Sequence, residues 1–237
     1  MRSGWSQNAG ARMMNYTLKR KKRKSIAIHV NSNGVEVRAP FRMSQREINE
    51  FVTSKEKWIT DKLMIIEELA VRRDAFTLNY GDMLLYRGIR YPILGTNSRQ
   101  SVPENTVFLI PQDLPPGNIK TACIRIYREL AMRDLTARTF EYTGRMNVAP
   151  ATIKVSGAKK RWGSCSTNKN INFSWRLIMA DDEMIDYVIV HELAHLIELN
   201  HSAQFWAIVE GVLPDYRDRK ARLRALRKRI AAENWDE

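Results

Sequence analysis

A chain of 237 residues with 39 lysines and arginines against 26 acids carries a formal charge of +13; its 44% apolar content allows a buried core in one domain or two small ones. The sequence has no run of eighteen apolar residues, so a membrane-spanning helix is excluded, and residues 1–24 lack the apolar segment of a secretory signal. Cys123 and Cys165 are only two and fall in separate expected elements, which favours free thiols in a reducing compartment over a disulfide framework, cytoplasmic by default, with a mitochondrial transit peptide the lesser alternative for the basic, acid-free opening stretch.

Residues 1–15 read as a tail. Strands are expected over 17–30 and 34–39, joined across Asn31-Ser32-Asn33-Gly34 and stopped by Pro40. Ser44 with Glu47 has the form of a capping box, opening a helix over 45–72 whose apolar positions Ile48, Phe51, Val52, Trp58, Ile59, Leu63 and Ile66 keep helical spacing. Short strands broken by Gly81, Gly88, Gly95 and Pro103 predict an antiparallel meander over 76–111, and Pro111, Pro115, Pro116 and Gly117 mark a boundary. A long helix is expected over 118–145, closed by Gly144. Strands follow at 152–156, 161–165 and 170–178, then a helix capped by Asp181 or Asp182, another from 201 to 212, and a basic final helix beyond Pro214. This is an α+β chain: an N-terminal α/β region over 1–112, and a second domain over 113–237.

Three of the four histidines lie in one run, His191-Glu192-Leu193-Ala194-His195-Leu196-Ile197-Glu198-Leu199-Asn200-His201. On a helix, residues four apart differ by about 40° in rotation and about 6 Å along the axis, so His191 and His195 can hold one ion from one face. Imidazole is a preferred zinc ligand, and a catalytic zinc keeps one position open for water. Glu192 can reach that water without binding the ion. The surrounding helix is apolar, and burying two imidazoles and a carboxylate in it costs several kcal/mol unless an ion or partners satisfy them.

His201 is the preferred third ligand. Continued as ideal helix it would lie about 240° from His195, so the helix must end between them, and Asn200 tolerates the left-handed conformation that closes many helices. Asp215, with Glu210 nearby, competes as an acidic third ligand. Zinc makes hydroxide available near neutral pH; Glu192 would take the proton and return it to a leaving amine, giving amide hydrolysis without a covalent intermediate. Tyr187, Tyr216, Arg161 and Arg176 are candidates to stabilise the oxyanion. Glu198 is a candidate to orient His195 through its carboxylate, or an ordinary glutamate at a helix end.

The order Arg161-Trp162-Gly163-Ser164-Cys165, Asn172-Phe173-Ser174-Trp175-Arg176-Leu177, Asp186-Tyr187-Val188, His191-Glu192-Leu193-Ala194-His195 and Asn200-His201-Ser202 with Phe205-Trp206 resembles the YgjP-like metallopeptidases, which are akin to the SprT-like proteases. That resemblance implies a minimal zincin-like domain with a mixed or antiparallel sheet, one zinc ion per chain on His191, His195 and His201, and a catalytic Glu192. It also implies a peptide or protein substrate lying along an edge strand, near Asn172 to Trp175. Trp162 and Trp175 read more simply as core aromatics. Phe173 stands where the family often has a smaller or polar residue.

Two basic clusters remain, Lys19 to Lys24 and Arg217 to Arg229. Contact with nucleic acid or another polyanion is one reading and a solvated surface the other; Leu223, Leu226 and Ile230 form the stripe that would turn the second cluster outward. The alternative function is thus a polyanion-associated protein, directing proteolysis at bound proteins or holding a structural metal. A structural zinc needs four protein ligands, and Cys165 is the only thiol within reach of the histidine run. His29 is given no role.

Overall fold

The computed structural model describes residues 14–97 and 107–236. The residues divide into two compact units at Ala75–Phe76, not at the proline-rich stretch near 112 where the sequence reading drew its line. The reason is packing: Leu84, Ile93, Phe108 and Ile110 of the expected N-terminal meander belong to the same core cluster as Ile119, Tyr127 and Trp175. Among the described residues no helix is long and apolar enough to cross a membrane.

The first unit is a three-stranded sheet with two helices. β1 (Thr17–Lys21) and β2 (Ala27–Asn31) flank β3 (Gly34–Pro40) in the order β1-β3-β2. The sequence suggested one strand across 17–30. The chain breaks instead over 22–26, so β1 pairs parallel and β2 antiparallel with β3. Gly34, at φ 105°, makes the turn between β2 and β3, a conformation that glycine adopts at no steric cost. Val35, Val37 and Ala39 point to the core from one face of β3, meeting Ile48, Val52 and Ile59. The expected capping box is present: Glu47 N–H donates to Ser44 Oγ (3.2 Å) and Ser44 N–H to Glu47 Oε2 (2.7 Å). The helix it opens is two, α1 (Gln45–Ser54) and α2 (Glu56–Asp74), broken at Lys55. Two of the six basic residues of the first cluster are tied up locally: Arg20 donates to the carbonyls of Phe41 (2.9 Å) and Met43 (2.6 Å), and Lys19 pairs with Glu36.

In the second unit β4 (Met83–Tyr86) pairs antiparallel with β5 (Ile89–Thr96), and β5 pairs parallel with β6 (Phe108–Pro111), so the expected antiparallel meander is a mixed sheet. Helix α3 (Pro116–Met146) ends on Asn147 in the left-handed conformation (φ 51°), not on Gly144. β7 (Thr152–Ser156), β8 (Gly163–Cys165) and β9 (Asn170–Ser174) form a mixed sheet in the order β7-β9-β8. The strand expected over 170–178 stops at Ser174, and Trp175–Met179 form a 3₁₀ turn whose side chains are all buried. Trp175 stacks on Tyr127 at 5.3 Å, and Trp235 meets both rings edge-on. Trp175 is thus a core residue, as the simpler reading held, and so is Phe173, while Trp162 is partly buried and packs against that core. Helices α4 (Asp182–Ala194), α5 (Ala203–Val212) and α6 (Tyr216–Ile230) complete the unit.

Candidate metal centre

Helix α4 begins where Asp181 accepts a hydrogen bond from Met184 N–H at 2.9 Å, the N-cap read from the sequence. Ten of its thirteen residues are buried, Asp186 and Glu192 among them. Arg138 of α3 grips Asp186 through two nitrogens, and Arg219 of α6 lies 3.7 Å away. This charge cluster fixes the helix that carries His191, Glu192 and His195.

The helix ends between His195 and His201 as the spacing required, though not through Asn200. Past Ala194 the ladder tightens: Leu196 N–H donates to Leu193 O, and Ile197 and Glu198 N–H both donate to Ala194 O. Asn200 is absent from the left-handed residues; its N–H donates to Glu198 Oε1 at 3.1 Å. Ser202 then caps α5, accepting from Phe205 N–H, and so anchors the residue that follows His201.

The imidazoles of His191, His195 and His201 each offer a nitrogen to one group, all within 4.8 Å of one another. The Nε2 atoms of His191 and His201 are 3.1 Å apart, near the separation of about 3.3 Å that two nitrogens about 2.05 Å from one tetrahedral zinc would have. His195 Nδ1 lies 3.2 Å from the Glu198 carbonyl oxygen. That oxygen only accepts, so Nδ1 carries the proton and Nε2 keeps its lone pair. The orienting group is therefore the backbone of Glu198, not its carboxylate. His191 is held by rings instead: Phe205 at 4.9 Å, and Tyr187 and Trp206 each at 5.8 Å. Its buried Nδ1 has no hydrogen-bond partner, a cost of the kind found at functional sites. Burial, with the charges of His195, His201 and Lys220, lowers its pKa to about 3; the His201 pKa is lowered too, first by desolvation. Neutral imidazoles are the form that binds metal, so the donor set fits a divalent zinc-like ion.

Glu192 sits beside this group, 5% exposed. Burial raises its carboxyl pKa to about 8, with Arg161 pulling the other way; a cation held by the histidines would add to that pull. Its back is against Gly163 of β8, where an added Cβ would stand 2.6 Å from Glu192 Oε1. Asp215 and Glu210, the competing third ligands, pair instead with Arg219 and Arg217. Burial, then the charge of nearby Glu192, raises the Cys165 pKa, yet Cys165 is not in the ligand group. No described residue therefore supplies the fourth donor of a structural zinc.

Of the oxyanion candidates, Arg176 is spent elsewhere: it donates to the Gly157 and Trp235 carbonyls and lies over the Trp175 ring at 4.4 Å. Tyr187 and Tyr216 belong to a ladder of rings, Tyr187 on Tyr216 (6.5 Å) and Tyr216 on Trp206 (5.3 Å), that continues to His201. Burial, then the charge of Glu192, pushes the Tyr187 hydroxyl up to about 12. The stretch Asn172 to Trp175 is not an edge, because β9 is the central strand of its sheet. β8 is the edge strand on the side of Glu192. Sequence reasoning missed Gly163, Lys220 and the rings around His191, since those contacts join separate elements. Lys220 Nζ stands 4.3 Å from the Trp206 ring centre.

No curated protein matches the chain. Solved structures with which it shares short stretches include the metallopeptidase zymogen of Pyrococcus abyssi abylysin, 21% identical over 38% of this chain and 90% of that one, with a TM-score of 0.35. The metallopeptidase zymogen of Methanocaldococcus jannaschii jannalysin is 22% identical over 41% of this chain and 98% of that one, with a TM-score of 0.36. The model of the YgjP-like metallopeptidase domain, by contrast, matches residues 24–226, a span that takes in β8, β9 and the whole histidine cluster. On that match the chain belongs to the YgjP-like metallopeptidase family.

Proposed function

We propose that this chain is a zinc-dependent metallopeptidase in which His191, His195 and His201 hold one ion and Glu192 moves the proton. The observation that carries the reading is the convergence of three imidazoles beside one buried glutamate. Zinc in such a site supplies Lewis acidity, polarising the scissile carbonyl and making hydroxide available near neutral pH. Glu192 accepts the proton from the attacking water at a carboxylate oxygen and delivers it to the leaving amine nitrogen. Its burial keeps competing water away and holds the carboxylate in one place. The edge of β8 that faces away from β9 offers free backbone groups with which an extended peptide can pair.

The polyanion reading has less support. Of the eight basic residues from Arg217 to Arg229, Arg217, Arg219 and Arg222 pair with acids and Arg227 donates to the Lys160 carbonyl. A cytosolic setting remains part of our reading, on the two free thiols.

The test is Glu192→Gln, an isosteric change that leaves the imidazoles in place. Elemental analysis is expected to find wild-type zinc content, while peptide hydrolysis falls by about three orders of magnitude or more. Unchanged turnover would remove Glu192 from the mechanism.

A further inference from the structure

We propose that Lys220 of α6 forms a subsite that binds a carboxylate of the peptide substrate. The inference rests on the metallopeptidase reading and names the substrate class for that site. Four of the eight basic side chains of α6 have a carboxylate or carbonyl to bond, while Lys220, Arg224, Lys228 and Arg229 form no ion pair among the described residues. Lys220 is directed instead to the site, with its ammonium 4.3 Å from the Trp206 ring, and Trp206 lies 5.7 Å from His201 and 5.8 Å from His191. Its charge is felt at both imidazoles.

The nearby acids do not neutralise this rim. Glu210 and Asp215 pair with Arg217 and Arg219, and Glu198 Oε1 accepts from Asn200 N–H. A partly exposed ammonium over an aromatic face is pre-positioned, and a cation with no acidic partner attracts ligands of the opposite charge. The matching group on a peptide is a carboxylate, from an Asp or Glu side chain or from the C-terminus.

The experiment uses zinc-loaded protein and matched peptides with Glu, Gln or Lys at each position flanking the cleaved bond, every peptide made with a free and an amidated C-terminus. Wild type is expected to favour Glu over Gln at one position by about tenfold in kcat/KM, the size of one charge-assisted hydrogen bond, and the preference should shrink as salt rises. Lys220→Met should abolish that ratio and Lys220→Glu invert it; a ratio within one variant does not depend on how much of it is folded. A tenfold effect of the free terminus alone would assign the subsite to the C-terminal carboxylate. Equal cleavage of all peptides by wild type, or an intact Glu preference in Lys220→Glu, overturns the proposal. If wild type cleaves none, the hydrolase reading fails, and fluorescein-labelled Glu and Gln peptides binding to Glu192→Gln decide: tighter binding of the Glu peptide that is lost with Lys220→Glu keeps the subsite, equal binding removes it.

Discussion

At position 163 the lack of a side chain is what leaves room for Glu192. An added Cβ would stand 2.6 Å from Oε1, 2.7 Å from Cγ and 2.8 Å from Cδ of that glutamate, well inside van der Waals contact. Gly163 is fixed by pairing with Phe173, and α4 is buried, so the carboxylate has to swing away. Gly163→Ala is expected to lower kcat about a hundredfold, as a misplacement of about 1 Å in a reacting group does. Zinc content should stay at the wild-type level, since the three nearest atoms to the new methyl all belong to Glu192. Full activity would mean that the carboxylate has slack, and zinc loss that β8 also supports the ligands. The placement of His191, Glu192 and His195 together on one helix was legible because a helix converts a spacing of one and four residues directly into geometry. Gly163 was not, because its contact crosses from a strand to a helix.

At the scale of elements, the same division separates what the sequence declared from what it hid. Ser44, with Glu47, and Asp181 each mark a helix start with a hydrogen bond made within three residues, so these caps were readable, whereas Ser202, which caps α5 in the same way, fell inside the helix expected from 201. Strand order depends on distant partners, and there the edge near Asn172 was misplaced: β9 has neighbours on both sides and β8 has the open one. The support of α4 is another long-range feature. Arg138 closes on Asp186, whose side chain is 9% exposed, with Arg219 at 3.7 Å as a weaker second partner. Removing one partner of a buried pair leaves an uncompensated charge. Arg138→Ala is expected to lower stability by about 2–3 kcal/mol, read as a lower urea midpoint at unchanged slope. Arg138→Met with Asp186→Leu should recover most of the loss, whereas a double variant no better than Arg138→Ala would show that the pair does more than neutralise itself.

The molecule as a whole separates its metal chemistry from part of its stability. The three candidate ligands and Glu192 lie within eleven residues of the second unit, while the core of the first rests on Val35, Val37, Ala39, Ile48, Val52 and Ile59. An ion that binds only the folded state stabilises whatever must be folded to hold it, by about 2.7 kcal/mol at a hundred times its dissociation constant. His191 and His195 sit on a helix packed against α3, α5 and α6, whereas His201 depends on the short turn before Ser202. Metal binding should therefore register across the second unit and most strongly at the end of α4, where the regular helical ladder gives way to a tight turn after Ala194. Native-state hydrogen exchange checks this, because it reports opening amide by amide. Zinc is expected to slow the amides of Val188–Ala194 and those of residues 196–198 about a hundredfold, the rate equivalent of that free energy, and to leave β1–β3 unchanged; His201→Ala should remove most of the effect at 196–198 first. Equal slowing of β3 would mean that the two units unfold as one cooperative body, and no slowing at α4 would mean that the histidines do not hold the ion.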